Sequence, residues 1–294
     1  MEDIMMKSFK NNSMKWRYFR QALFFGAVRL SALIIALALG GILFYIIVNG
    51  IGSISWDFIT KPPTDSMTKG GIMPAILGTI YLTIGAIAIG LPLSIASAIY
   101  LTEYARQGRV IRLIKVGINC LAGVPSVVFG LFGLGFFVIF MKFGSSILSG
   151  SLTLGFLILP TIIGAAEEAL KAVPQTFREA SLSLGVSKWQ TIYRIVLPNA
   201  LPGILTGSIL GIGRAAGETA PIMFTAVVFS SRFLPDSVSD PVMALPYHLF
   251  ILATNVPGAS ANKYGTALVL LMLVVSFYAV AIAVRARFQK RMKG

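Results

Sequence analysis

The sequence predicts an all-α membrane protein with six transmembrane helices, and three observations carry that reading. Apolar residues fill 56% of the 294 positions and charged residues only 12%, with a mean hydropathy of +0.81; a soluble domain carries about 25% charge. The apolar residues gather into six runs long enough to cross a bilayer as helices, for which about 20 residues suffice. The basic residues sit at the ends of these runs. The net charge of +14 is therefore explained by topology and contact with anionic membrane lipid, not by nucleic acid.

The first run covers 28–48 and ends at Asn49-Gly50. The arm before it is basic (Lys7, Lys10, Lys15, Arg17, Arg20), but the run is too long for a signal-peptide core and lacks a small-residue cleavage site, so it reads as an uncleaved span. A loop with Lys61-Pro62-Pro63 and Gly70-Gly71 leads to the second run, 74–100, which contains Pro92. The third, 115–141, holds Pro125 and the glycines 130, 133 and 135, which read as helix packing. Neighbouring helices can satisfy carbonyls freed by proline, so kinks near Pro92 and Pro125 are expected. The fourth run is 147–167, and a polar segment, 168–199, follows it. The fifth is 202–230, before a loop with Pro235, Pro241, Pro246 and Pro257; the sixth, 264–284, ends in a basic tail.

Six spans put both termini on one side. That side holds 19 of the 25 Lys and Arg, the other side five, and Arg214 lies within a span. The bias predicts cytoplasmic termini, a cytoplasmic segment 168–199, and an outer loop 231–262 carrying Asp236 and Asp240.

Within the polar segment, Pro174 suits a first helical turn. Val173, Phe177, Ala180 and Leu184 follow at helical spacing and make one apolar stripe, with Gln175, Arg178, Ser183 and Ser187 off it. Gly185 suits a left-handed helix end. Ser187 and Gln190 have capping-box spacing for a second helix, expected to stop at Leu197 before Pro198. Such a helix–turn–helix can rest on lipid headgroups or dock a soluble partner.

Arg214 and Glu218 lie in the fifth run, four residues apart, which places them on one face of a continuous helix. A charge at the bilayer centre costs about 2.5–3.5 kcal/mol on insertion scales. The pair can neutralise itself and pin helix packing, or it can form an anion site or gate. In the second case Arg214 offers its guanidinium fork to an oxyanion, Glu218 keeps binding weak enough for release, and Thr219 adds a hydroxyl donor. Glycines 207, 211, 213 and 217 and Ala216 imply close helix contact nearby. Glu218 as a proton relay of a secondary transporter is the rival from another class.

The remaining polar residues point to no chemistry. Glu167 and Glu168 are expected to contact the polar segment at the end of the fourth span. His248 reads as a surface or loop-packing residue and cannot hold a metal alone. Cys120, the one cysteine, reads as packing. No P-loop occurs, so ATP is not expected to bind here. No nucleophile–base pair stands out, so no enzyme is predicted.

Glu179-Ala180, Gly185, Ile195 and Leu197-Pro198 reproduce the E-A-A-x3-G-x9-I-x-L-P pattern, with Ser181 in place of the second Ala. The segment thus resembles the coupling helix of permease subunits of binding-protein-dependent ABC importers. GRAAGETAPIMFTA from Gly213, GVPSVVFGLFGLGFF at 123–137 and LGTIYLTIGAIAIGLPLSIASAIYLTEYA at 77–105 resemble the phosphate-specific permeases among them, over roughly 70–290. The resemblance implies the type I ABC importer permease fold in the inner membrane of a prokaryote. It divides the chain into an arm (1–27), first span and outer loop (28–71), permease core (72–285) and tail (286–294). It also implies a similar second permease, an ATPase dimer docking at Glu179 and Gly185, and an external phosphate-binding protein. Arg214 and Glu218 then line the phosphate passage, and ATP is hydrolysed by the ATPase. Another oxyanion or phosphorus compound is the alternative substrate.

Overall fold

The computed structural model describes residues 2–106, 108–231 and 233–293, without the side chains of residues 2–15, 19 and 291–293. Arg232 and the side chains of Lys7, Lys10, Lys15, Arg291 and Lys293, all part of the charge bias, lie outside the described residues. The chain divides into two units, Met1–Asn49 and Gly50–Gly294.

The first unit is made by one helix, α1 (Glu2–Gly50). It contains no proline, so nothing interrupts its backbone ladder. The basic arm and the first span are one rod, with no break at residue 27. None of its described side chains through Asn49 is buried.

The second unit opens with α2 (Trp56–Thr60), N-capped by the Ser55 hydroxyl, which accepts the Phe58 N–H at 3.1 Å. A minimal antiparallel pair follows, β1 (Pro63–Thr64) with β2 (Lys69–Gly70). Helix α3 (Met73–Ile99) runs unbroken past Pro92 and widens into a π-helical turn, Tyr100–Tyr104. The third apolar run bends sharply at the expected place, next to Pro125. It forms α4 (Arg109–Ala122) and α5 (Ser126–Gly133), the latter extended through a π-helical stretch to Phe140, and the two parts meet at 104°. Pro125 has no N–H to donate and excludes helical backbone at Val124. Counting this bent pair once, the described residues hold five helices long and apolar enough to span a membrane and a sixth, broken one.

Helix α6 (Ile147–Lys171) is the centre of the unit, N-capped by Ser146. Leu82 and Ala86 of α3 pack on Leu154, Leu157, Ile158 and Ile162 of α6. Lipid tails give apolar helices no reason to separate from lipid, so close van der Waals packing must hold them together. Glycine supplies that closeness: a Cβ on Gly90 would lie 3.1 Å from the Gly155 carbonyl oxygen. Further along α6, Gly203 and Gly207 of α9 (Leu197–Gly217) meet Ala169 and Ala165, and a Cβ on Gly207 would collide with that of Ala165. Gly130 and Gly133 of α5 pack as expected, whereas Gly135 faces open space.

The loop after the fifth run is more ordered than its prolines suggest. After α10 (Ala220–Thr225) it folds into α11 (Leu245–Thr254), whose first N–H donates to Thr79 Oγ1 of α3 at 2.8 Å. His248 of α11 is only 2% exposed, so it packs the loop; burial pulls its pKa down to about 4. Helix α12 (Ser260–Lys293) closes the chain. Cys120 on α4 is exposed and is not a packing residue: Ile111 and Ile118 take the inner face of that helix.

Candidate functional site

Segment 174–198 is built as its spacing predicts up to Thr191. Helix α7 (Gln175–Ser183) follows Pro174, and Gly185 turns the chain at φ +78°, where a side chain would be strained. Helix α8 (Lys188–Thr191) begins with a full capping box: Ser187 Oγ accepts the Gln190 N–H, and Gln190 Oε1 accepts the Ser187 N–H at 3.3 Å. Val173 is buried, while Phe177, Ala180 and Leu184 are exposed, Leu184 at 82%. The apolar stripe of α7 thus faces away from the protein. Glu179 and Gly185 are on the same open surface.

Beyond Thr191 the chain departs from expectation. The helix does not stop before Pro198. It passes through a π-helical turn, Ile192–Val196, directly into α9, making one apolar rod over residues 188–217. Pro198 stands in the first turn of α9, where a missing N–H breaks no α-helical bond because the wide turn has already shifted the ladder. Ile195, Leu197 and Pro198 are consequently half-buried, and Leu197 packs against the cluster of Leu170, Val173 and Ala200. They anchor the segment, and the open surface is left to Glu179, Ala180 and Gly185.

Ser181, the departure from the motif, is 3% exposed, and its hydroxyl pairs with that of Thr191 at 2.9 Å. An alanine would leave the Thr191 hydroxyl with only its bond to the Ser187 carbonyl, 3.1 Å away.

Two residues without a motif join this site. Arg178 points inward from α7. Its Nη2 donates to Glu103 Oε1 at 2.7 Å and to the Leu170 carbonyl at 2.8 Å, and its Nη1 to the Val173 carbonyl at 2.7 Å. Its Nε donates to both Glu103 oxygens, at 3.2 and 3.3 Å. Glu103 lies in the π-helical turn ending α3, 75 residues away in sequence, and no spacing rule reaches that far. Glu167 and Glu168 both reach the polar segment as expected, through Lys171, with Glu167 3.5 Å from its ammonium. Glu167 pairs with Lys115 of α4 at 3.0 Å, and Glu168 with Lys171 one turn on at 2.7 Å; the first ties the bent span to α6.

At the other end of the rod, α9 stops at Gly217, and Glu218 is extended (φ −74°, ψ 136°). Arg214 and Glu218 therefore do not share a helix face. They meet across the helix end, Arg214 Nε donating to Glu218 Oε1 at 3.3 Å. Gly217 is a poor helix former, and Pro221 in the first turn of α10 suits the start of a new helix, so the break was encoded. Arg214 lies in the last turn, where unpaired carbonyls favour a cation. Its side chain is 33% exposed and that of Glu218 17%, so the pair remains reachable. Thr219 follows directly and makes no capping bond. From Pro198 to Arg214 the rod spans 16 residues, about 24 Å of helix.

Residues 90–294 match the model of a family described as binding-protein-dependent transport system inner membrane component. The chain is 34% identical over 265 residues to the probable ABC transporter permease protein YqgI of Bacillus subtilis, covering 86% of this chain and 90% of that one. It is 32% identical over 250 residues to the phosphate transport system permease protein PstA of Haemophilus influenzae, covering 85% and 88%. The fold matches a chain from a bacterial ABC transporter involved in the import of the acidic polysaccharide alginate, with a TM-score of 0.60 at 13% identity over 91% of this chain and 98% of that one.

Proposed function

The chain belongs to the family of binding-protein-dependent transport system inner membrane components, and on that premise we propose that it is the permease subunit of an ATP-driven importer of inorganic phosphate. As an ABC importer permease it is a multi-pass inner-membrane transport component and not an enzyme, and the family implies a second permease, an ATPase and a binding protein as partners. Our finer reading is a PstC-like permease beside it, a PstB-like ATPase dimer that binds and hydrolyses the ATP, and a PstS-like binding protein outside.

The observation that carries the substrate is Arg214. It stands at a helix end and is partly exposed, and its pairing with Glu218 runs through Nε. A guanidinium so held can exchange one carboxylate for an oxyanion, and Glu218 is placed to take it back. Relatives named as phosphate transport permeases support phosphate over other anions. Thr219 adds a donor, and the permease core is residues 72–285. With both termini cytoplasmic, Glu179, Ala180 and Gly185 face the ATPase, while Ile195, Leu197 and Pro198 anchor the segment that carries them. The loop with Asp236 and Asp240 faces the binding protein. Closure of the ATPase dimer moves segment 174–198, and the spans rock between inward-open and outward-open.

Phosphate uptake into vesicles holding the purified complex, with and without internal ATP, tests this. ATP-dependent uptake is expected, and uptake driven by a proton gradient alone overturns it. Since the fork fits any tetrahedral oxyanion, competition identifies the substrate: uptake blocked by sulfate, molybdate or a phosphonate and indifferent to phosphate assigns another anion to the same site.

A further inference from the structure

Helix α6 ends at Lys171, and the last carbonyls of a helix lack partners within it. The Leu170 carbonyl, which also accepts the Val173 N–H at 3.3 Å, and, just beyond, that of Val173 accept from Arg178, which belongs to the next helix. The remaining edge of the same guanidinium holds both oxygens of Glu103. The two side chains are 12% and 8% exposed. One planar group therefore joins the end of α3, the end of α6 and the body of α7. Lysine, with one compact ammonium, cannot reach three acceptor groups in that geometry.

The space around this junction matters as much. A cavity of about 580 Å³ lies between the segment and the spans, lined by Thr102, Glu103, Lys171, Gln175, Arg178 and Lys188. Side-chain packing does not fill the gap, so a push on the outer face of α7 is not passed inward through continuous contact there. Toward α3 and α6 the covalent path is the short link 172–174 and the other is the Arg178 fork, whereas α7 is tied to the 188–217 rod by the turn at Gly185 and the Ser181–Thr191 bond.

We propose that Arg178 and Glu103 are positioning residues for energy coupling, forming a clasp that makes α3 and α6 follow α7. This rests on the reading of α7 as the ATPase-docking helix. Without the clasp, α7 moves on its link, and ATP is hydrolysed with little transport.

The test is the ratio of phosphate imported to ATP hydrolysed by the complete complex with its binding protein, in vesicles. Arg178→Lys is expected to lower the ratio about fivefold or more, the lower end of ordinary coupling energies, with the ATPase still co-purifying. Glu103→Gln, which keeps the shape and removes the charge, should shift the ratio the same way. The double variant should be no worse than Arg178→Lys alone, as for two halves of one contact. A ratio within about twofold of wild type, or additive effects, overturns the clasp. A misfolded variant is recognised by loss of the co-purifying ATPase, and its ratio is not read. If Arg178→Lys fails to assemble, Glu103→Gln decides by the same criterion. Absence of ATP-dependent uptake by the wild-type complex would instead overturn the importer reading itself.

Discussion

The rod over residues 188–217 passes a proline on its way into the span and ends at a glycine, and these two places serve opposite needs. At Pro198 a missing N–H is absorbed by the preceding π-helical turn, the helix continues, and Leu197 and Val196 are packed against α6 and its terminus. At Gly217 the ladder ends, carbonyls are left open, and a cation and an anion meet across the gap. The entry is a stiff joint between the segment and the span. The exit is a polar opening in an apolar helix. Irregular backbone thus joins packed elements where side chains close over it and leaves a partly exposed ion pair where they do not.

Four substitutions break or sharpen this contrast. Removing the charge at the exit, Arg214→Gln, should reduce phosphate uptake to background while permease and ATPase still co-purify; normal uptake would remove Arg214 from the pathway. Next in size is Gly185→Val. A β-branched residue at φ +78° is strained by roughly 1–3 kcal/mol, and a loss of about tenfold in co-purified ATPase or in coupled uptake is expected. Persistence of both would dissociate the glycine turn from docking. Gly217→Ala has open space for its methyl and favours helix by about 1 kcal/mol. Extending α9 over the break should cost a few-fold in uptake, read in the same vesicles, and no change would mean the break need not stay open. The smallest effect belongs to Pro198→Ala: uptake and assembly within about twofold, because the first helical turn tolerates either residue. A large loss there would show that the proline stops or bends the rod in the working complex.

The contrast also marks how far the sequence could be read. The helix–turn–helix of 174–191 was legible because its signals are local: the stripe, Gly185, and the Ser187–Gln190 box. The spans were legible from their length. The exit break carried its signal in Gly217 and Pro221, but the four-residue spacing of Arg214 and Glu218 invites a continuous helix, and the pairing survives either way. The entry could not be read from proline rules, because they do not foresee a π-helical turn ahead of Pro198. Glu103 and Arg178 were hidden for a different reason. Their encounter depends on how α3 and α6 pack, which is set by contacts such as Gly90 on Gly155 and written nowhere near either residue.

The single exposed thiol on α4 has a practical consequence. Cys120 sits three residues before Gly123, where the third span begins to turn, on the helix that Lys115 fastens to Glu167. The natural protein thus carries one site-specific attachment point for a fluorophore or spin label, with no competing cysteine in its sequence. The elbow of the bent span can be followed through a transport cycle in the unmodified sequence.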